Sequence, residues 1–318
     1  MNIDSKDIGV GALAGAATVI LSLGIASGSG MAILLFFLSP LPIMIAGLGW
    51  GSIAGAVAVL AAAAGIGIAA NFHTAAFILL TTALPAATAA HWLTLSRPAT
   101  EIGGPAGKLA WFPLSDVMFR LAIMTAVAFV TAGILVGFNE SYVTTVADEM
   151  IRRLQEANPE FAFSDEGRAG FISAITNLIP LMQPAMWVLV LAGNLYLALR
   201  ISRSSGNLAR PADEWPISMR MPRIAMIALG VFVVLTFIPG GFGLAANVFV
   251  GALLAGFTLA GFATFHLRTQ GQPWQMLALI VVYGAVALTL IAALPFTVWG
   301  MFSLARNMPV SDHPKSNT

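Results

Sequence analysis

The 318-residue chain has no cysteine, three tyrosines, four histidines and only 9% charged residues. Without cysteine there can be no disulfide framework, thiolate metal site or thiol nucleophile. A soluble domain carries about 25% charge. Here 58% of the residues are hydrophobic, and polar side chain is too scarce to cover a water-soluble globule of this size. Soluble enzymes, nucleic-acid-binding proteins and disordered chains are excluded on that count. No phosphate loop of the G-x-x-x-x-G-K type and no H-E-x-x-H occurs. Gly103, Gly104 and Gly107 lack the strand–turn–helix context of a dinucleotide site. His73, His91, His266 and His313 are scattered, with no second ligand at metal-binding spacing. The expectation is a non-enzymatic protein with no catalytic residue, no metal and no cofactor.

What is abundant is apolar run. A helix needs about 20 apolar residues to cross a bilayer core, and nine runs qualify: 8–26, 31–48, 50–70, 74–95, 117–138, 171–199, 224–239, 243–265 and 275–300. The runs are apolar all round, unlike the alternating strands of a membrane barrel. The fold class is therefore an all-α, polytopic transmembrane helical bundle of about nine spans, eight to ten. It divides into a five-span region (1–138), an insert (139–170), a four-span region (171–306) and a polar tail (307–318). The first run is not expected to be a secretory signal, because Lys6 stands between Asp4 and Asp7 and the basic leading region is missing.

Orientation follows from arginine and lysine in the loops. Arg97, Lys108 and Arg120 lie in one connection, and Arg200, Arg203, Arg210, Arg220 and Arg223 in another. The insert between them has three arginines and seven acids, a net of −4. The basic loops, and with them the N-terminus, are expected in the cytoplasm and the insert outside. Counting spans forward puts the C-terminus outside as well, against Arg306 and Lys315 in the tail. Within the insert, Tyr142, Val143, Val146, Met150 and Leu154 recur at helical spacing. Pro159 ends that helix, and Ser164, Asp165 and Glu166 start another.

Polar residues inside apolar runs are functional candidates, since each needs a partner or a water-filled cavity. Asp116 and Arg120, four apart, are spaced to form an intramembrane charge pair on one helical face. Asn177 and Gln183 bracket Pro180, and Pro184 and Asn194 follow. Two prolines four apart free backbone carbonyls, and broken helices with nearby amides are how many transporters build midplane sites. Asn177, Gln183, Asn194 and Asn247 are thus the ligand-binding candidates. Gly11 with Gly15 and Ala12 with Ala16 form overlapping small-x-x-x-small pairs, suited to close helix packing or to docking a partner.

From Pro184 onward the chain carries a further pattern. Pro184, Trp187, Asn194 and Arg200 are followed by Pro211, Trp215, Met219 and Pro222; then come Gly261, Phe262, His266 and Gly271, and finally Pro295, Gly300 and Arg306. This pattern resembles the YybS-like bacterial membrane proteins, domain-of-unknown-function family 2232. Ser303 stands where that pattern often has an acid. The N-terminal half is similar in style to the substrate-binding subunits of energy-coupling-factor transporters, which dock a membrane partner through small residues of an early helix. The resemblance implies a multi-pass protein of the bacterial inner membrane, with no activity attached.

The expected function is a small-molecule-binding or transport-related membrane component. Its partners are the lipid bilayer, membrane partner subunits and a small-molecule ligand, and not nucleic acid. The alternative is a non-transporting scaffold for envelope or cell-shape machinery.

Overall fold

A computed structural model describes residues 4–137, 140–158, 164–304 and 309–312. Asp4 caps α1 (Ser5–Leu23), its carboxylate accepting from the Lys6 N–H at 3.1 Å. Ser29 caps α2 (Gly30–Phe37), which stops before Pro40, and α3 (Leu41–Trp50) completes the same crossing. Gly51, at φ +90°, makes the tight turn into α4 (Ser52–Ala69), a conformation that other residues rarely adopt. Asn71 caps α5 (Phe72–Ile78), which passes through a π-helical stretch, Leu79–Ala83, into α6 (Leu84–Thr94). A short antiparallel pair follows, β1 (Ser96–Pro98) and β2 (Lys108–Trp111). Next come α7 (Leu114–Val136), α8 (Glu140–Ala157), α9 (Asp165–Ser204), α10 (Trp215–Ser218) and α11 (Arg223–Leu235). The chain ends with α12 (Gly241–Thr269), α13 (Gln275–Leu288), α14 (Leu294–Phe302) and β3 (Val310–Asp312).

Among the described residues, seven segments are long and apolar enough to cross a membrane: Ser5–Ala26, Gly30–Trp50, Ser52–Ala69, Phe72–Thr94, Leu114–Leu135, Asp165–Ser204 and Gly241–Thr269. They coincide with seven of the nine expected runs, and the protein is an all-α polytopic bundle. The other two runs are shorter than expected. α11 has 13 residues, about 20 Å of helix against a bilayer core of about 30 Å. The 275–300 run is interrupted at Thr289, whose backbone is extended (φ −150°, ψ 126°). It therefore forms two shorter apolar helices, Gln275–Leu288 and Leu290–Phe302.

Contacts between helices sort their ends into two groups. Gly11 faces Ala54 and Val57, Gly15 faces Ala58 and Ala61, and Val19 faces Gly65, so α1 and α4 run parallel. The α3–α4 turn lies against Ser202 and Asn207, beside the 95–113 and 205–222 connections. This is the basic end, and the start of α1 belongs to it. The opposite, acidic end carries α8 and the first turns of α9, which pair as a hairpin. Val143, Ala147 and Ile175 are buried between them, and the Arg168 guanidinium grips both oxygens of Asp148 at 2.6 and 2.9 Å. On the outer surface of α8, Arg152 and Arg153 both hydrogen-bond Glu149 and hold its carboxyl down at about 2.

The expected boundary at residue 170 falls inside a helix, since α9 starts at Asp165 and runs through Gly170 without interruption. The last described residues, 309–312, lie beside the basic loops. Residues 310–312 pair antiparallel with 108–110, and the Trp111 N–H donates to the Pro309 carbonyl at 3.0 Å. That places β3 at the basic end. Pro159, Arg306, His313 and Lys315 lie outside the described residues.

The main core lies where α3, α6, α7, α9 and α12 meet, and Trp187 is at its centre. Pro85 has no N–H to offer the Thr81 carbonyl one turn before it. The Trp187 indole supplies that donor at 2.6 Å, while its ring packs on Phe36 and Phe37. A buried carbonyl left unpaired by proline is thus satisfied from another helix.

Candidate functional site

A cavity of about 950 Å³ opens in the acidic half of the bundle. Its walls come from α5, the last turns of α7, α8, the proline turns of α9 and the first turns of α12. The lining is mostly apolar, with Phe77, Phe129, Ile179 and Val248 prominent, and its polar side chains are His73, Thr74 and Gln183. Phe242 and Ile134, 81% and 76% exposed, stand at its open side. The prolines shape this wall. Pro180 and Pro184 are both buried inside a helix that continues through them. The expected break is therefore a continuous helix of 40 residues, in which two ladder donors are missing. α12 crosses there so closely that Gly251 rests on the Leu181 carbonyl.

The four amides expected to bind ligand do not converge. Gln183 lines the cavity. Asn177 is exposed and donates to the Ser173 carbonyl of its own helix at 2.9 Å, so the first amide of the proline segment points away. Asn194 is buried two or more turns beyond. Its Nδ2 donates at 2.8 Å both to Val190 and to Phe37, the last carbonyl of α2. Asn194 thus terminates a neighbouring helix, and its Oδ1 has no partner among the described residues. Asn247 is half-buried on α12, a residue removed from the cavity wall at Val248.

Arg120 lies in the second turn of the candidate span Leu114–Leu135. It is exposed near the basic end, its guanidinium 4.8 Å from the Phe112 ring centroid and 5.5 Å from that of Trp92. This is a snorkelling arginine on aromatic faces, one turn along α7 from half-buried Asp116. The small-residue pairs also divide. Gly11 and Gly15 are buried against α4, whereas Ala12 and Ala16 are exposed on the other side of α1.

Two side chains were missed in the sequence. His73 reads there as one of four scattered histidines, yet it lines the cavity. Arg210 reads as one loop cation among five, yet among the described residues it is the largest fully buried side chain. It binds both oxygens of Asp213 at 2.7 and 2.8 Å and donates to the carbonyls of Phe112 (2.8 Å) and Leu93 (3.2 Å). Its only signal was an acid three residues on. Among the described residues no group of three or more metal-ligating side chains is assembled.

Comparison with known proteins gives one match. No curated protein and no solved structure matches the chain. A family model described as a predicted membrane protein (DUF2232) matches residues 16–304, nearly the whole chain, and the protein belongs to that family.

Proposed function

We propose that this protein is a transport-related binding component of the bacterial inner membrane, taking an amphipathic small molecule in the cavity of the acidic half. The observation that carries this reading is the cavity itself: about 950 Å³, mostly apolar walls, and polar groups confined to His73, Thr74 and Gln183. Ligand pockets have this composition, with a few placed polar groups fixing orientation in an apolar volume. The exposed Ala12 and Ala16 on α1 are left for a membrane partner subunit. The chain binds and does not turn over its ligand. The test is thermal stabilisation of the purified protein by a panel of vitamins, isoprenoids and amphipathic metabolites. A hit is expected to raise Tm and to lose at least tenfold in affinity in Gln183→Leu, with Asn177→Ala unaffected. A panel without a hit, or a hit indifferent to Gln183 and to His73→Leu, overturns the binding reading in favour of a scaffold.

The basic end faces the cytoplasm in this proposal, by the loop distribution of arginine and lysine. The native chain has no cysteine, so single cysteines are clean probes. In intact cells an impermeant maleimide is expected to label Glu156→Cys on α8 and to spare Ala212→Cys until the cells are opened. The reverse pattern inverts the orientation.

A further inference from the structure

A second, smaller cavity of about 390 Å³ lies at the basic end, closed by the last turns of α9, the chain around α10 and Gln270 after α12. It is at least 12 residues of α9 away from Pro184, about 18 Å, and stands independently of the proposed ligand cavity. Tyr196 and Trp215 meet edge to face with centroids 5.0 Å apart, and the Arg200 guanidinium lies over the Tyr196 ring at 5.5 Å. Arg203 stands one turn further along the same wall.

The charge balance of this pocket is what selects a ligand. Asp213 is on the wall, but both its oxygens are taken by buried Arg210. What remains is Arg200 and Arg203 against Glu214, a formal +1. A monoanion fits that balance, whereas a phosphomonoester approaches −2 at neutral pH. Guanidinium pairs are suited to phosphate oxygens through forked donors. The wall also includes Ile217, 40% exposed, and Ile201 on the neighbouring turn of α9 is 39% exposed. Tryptophan and tyrosine beside apolar surface at the ends of membrane helices mark the headgroup level of a bilayer.

We infer that this pocket binds a phosphodiester, Arg200 and Arg203 holding its phosphate and the Tyr196–Trp215 pair flanking it. The source is a phospholipid of the adjoining leaflet, with an acyl chain laid along Ile217 and Ile201. The test uses the full chain in non-ionic detergent, titrated with phosphatidylglycerol, with diacylglycerol, and with soluble glycerophosphoglycerol, and read by native mass spectrometry and Tm. One saturable phosphatidylglycerol site is expected, at least tenfold weaker in Arg200→Gln/Arg203→Gln, with diacylglycerol not bound there. Arg200→Gln alone, which removes only an exposed cation over a ring, guards against misfolding and is expected to weaken the site severalfold at unchanged lipid-free Tm. Glycerophosphoglycerol binding as tightly as the lipid, with the same sensitivity to Arg200, keeps the phosphodiester site but assigns it a soluble ligand. Equal phosphatidylglycerol binding by wild type and both variants, or equal binding of diacylglycerol, overturns the inference.

Discussion

Arg210→Met is expected to lower the stability of the folded protein by about 3–5 kcal/mol, measured by denaturant unfolding in mixed micelles. Arg210 and Asp213 are both withdrawn from solvent, with side-chain exposures of 0% and 1%. Removing one member of such a pair leaves the other charge buried without compensation, which costs more than the pair contributes. Two further acceptors, the carbonyls of Leu93 and Phe112, lose their donor at the same time. These carbonyls lie near the end of α6 and just before α7, so the 205–222 connection loses its hold on the neighbouring loop. The double variant Arg210→Met/Asp213→Leu separates the causes. It is expected to recover part of the loss, because no charge is then stranded. A double variant as unstable as the single would assign the effect to the two carbonyls instead.

Gly251→Val is expected to cost about 3 kcal/mol or more, at the upper end of overpacking effects. An added Cβ on Gly251 falls on the backbone of Leu181, not on a side chain that can rotate away. Only separation of α12 from α9 can relieve the clash. Those two helices also wall the large cavity, Gly241–Val248 on one side and Ile179–Pro184 on the other. Ligand affinity is therefore expected to fall with stability. Gly193→Val on α9 is the control: an added Cβ there meets nothing within 4 Å, and a change under about 1 kcal/mol is expected from helix propensity alone. Equal losses at the two glycines would mean that general helix destabilisation, not the α9–α12 crossing, is being measured.

The helical membrane class was legible because hydrocarbon imposes one rule on every span, and the rule is visible as run length. The acidic hairpin was legible for the same kind of reason, since Val143 and Val146 sit at helical spacing between charges. The later spans were less so. A 13-residue helix such as α11 and a run interrupted at Thr289 have the composition of a span without its continuity. Hydropathy does not register a backbone dihedral. β1, β2 and β3 went unread because strands of three or four residues carry no period to detect. At the candidate site, Gln183 was found through its proximity to the prolines. Asn177, six residues earlier, was grouped with it although its side chain bonds back along its own helix. Which way an amide faces depends on the helices packed around it, and Gly251, some 70 positions away in sequence, seats α12 on this part of α9.

The short strand β3 has a consequence for how the C-terminal helices are held. α13 buries no side chain, and α14 is seated on α12 through Gly261, Gly300 and the Thr258–Thr297 hydroxyl contact of 2.7 Å. Without β3 these helices would be held at Thr269 and along the seat of α14 on α12. Pairing with β2 adds a second tie and closes a ring of about 40 residues between Thr269 and Val310. Three residues of backbone pairing thus limit the reach of a segment more than ten times their length.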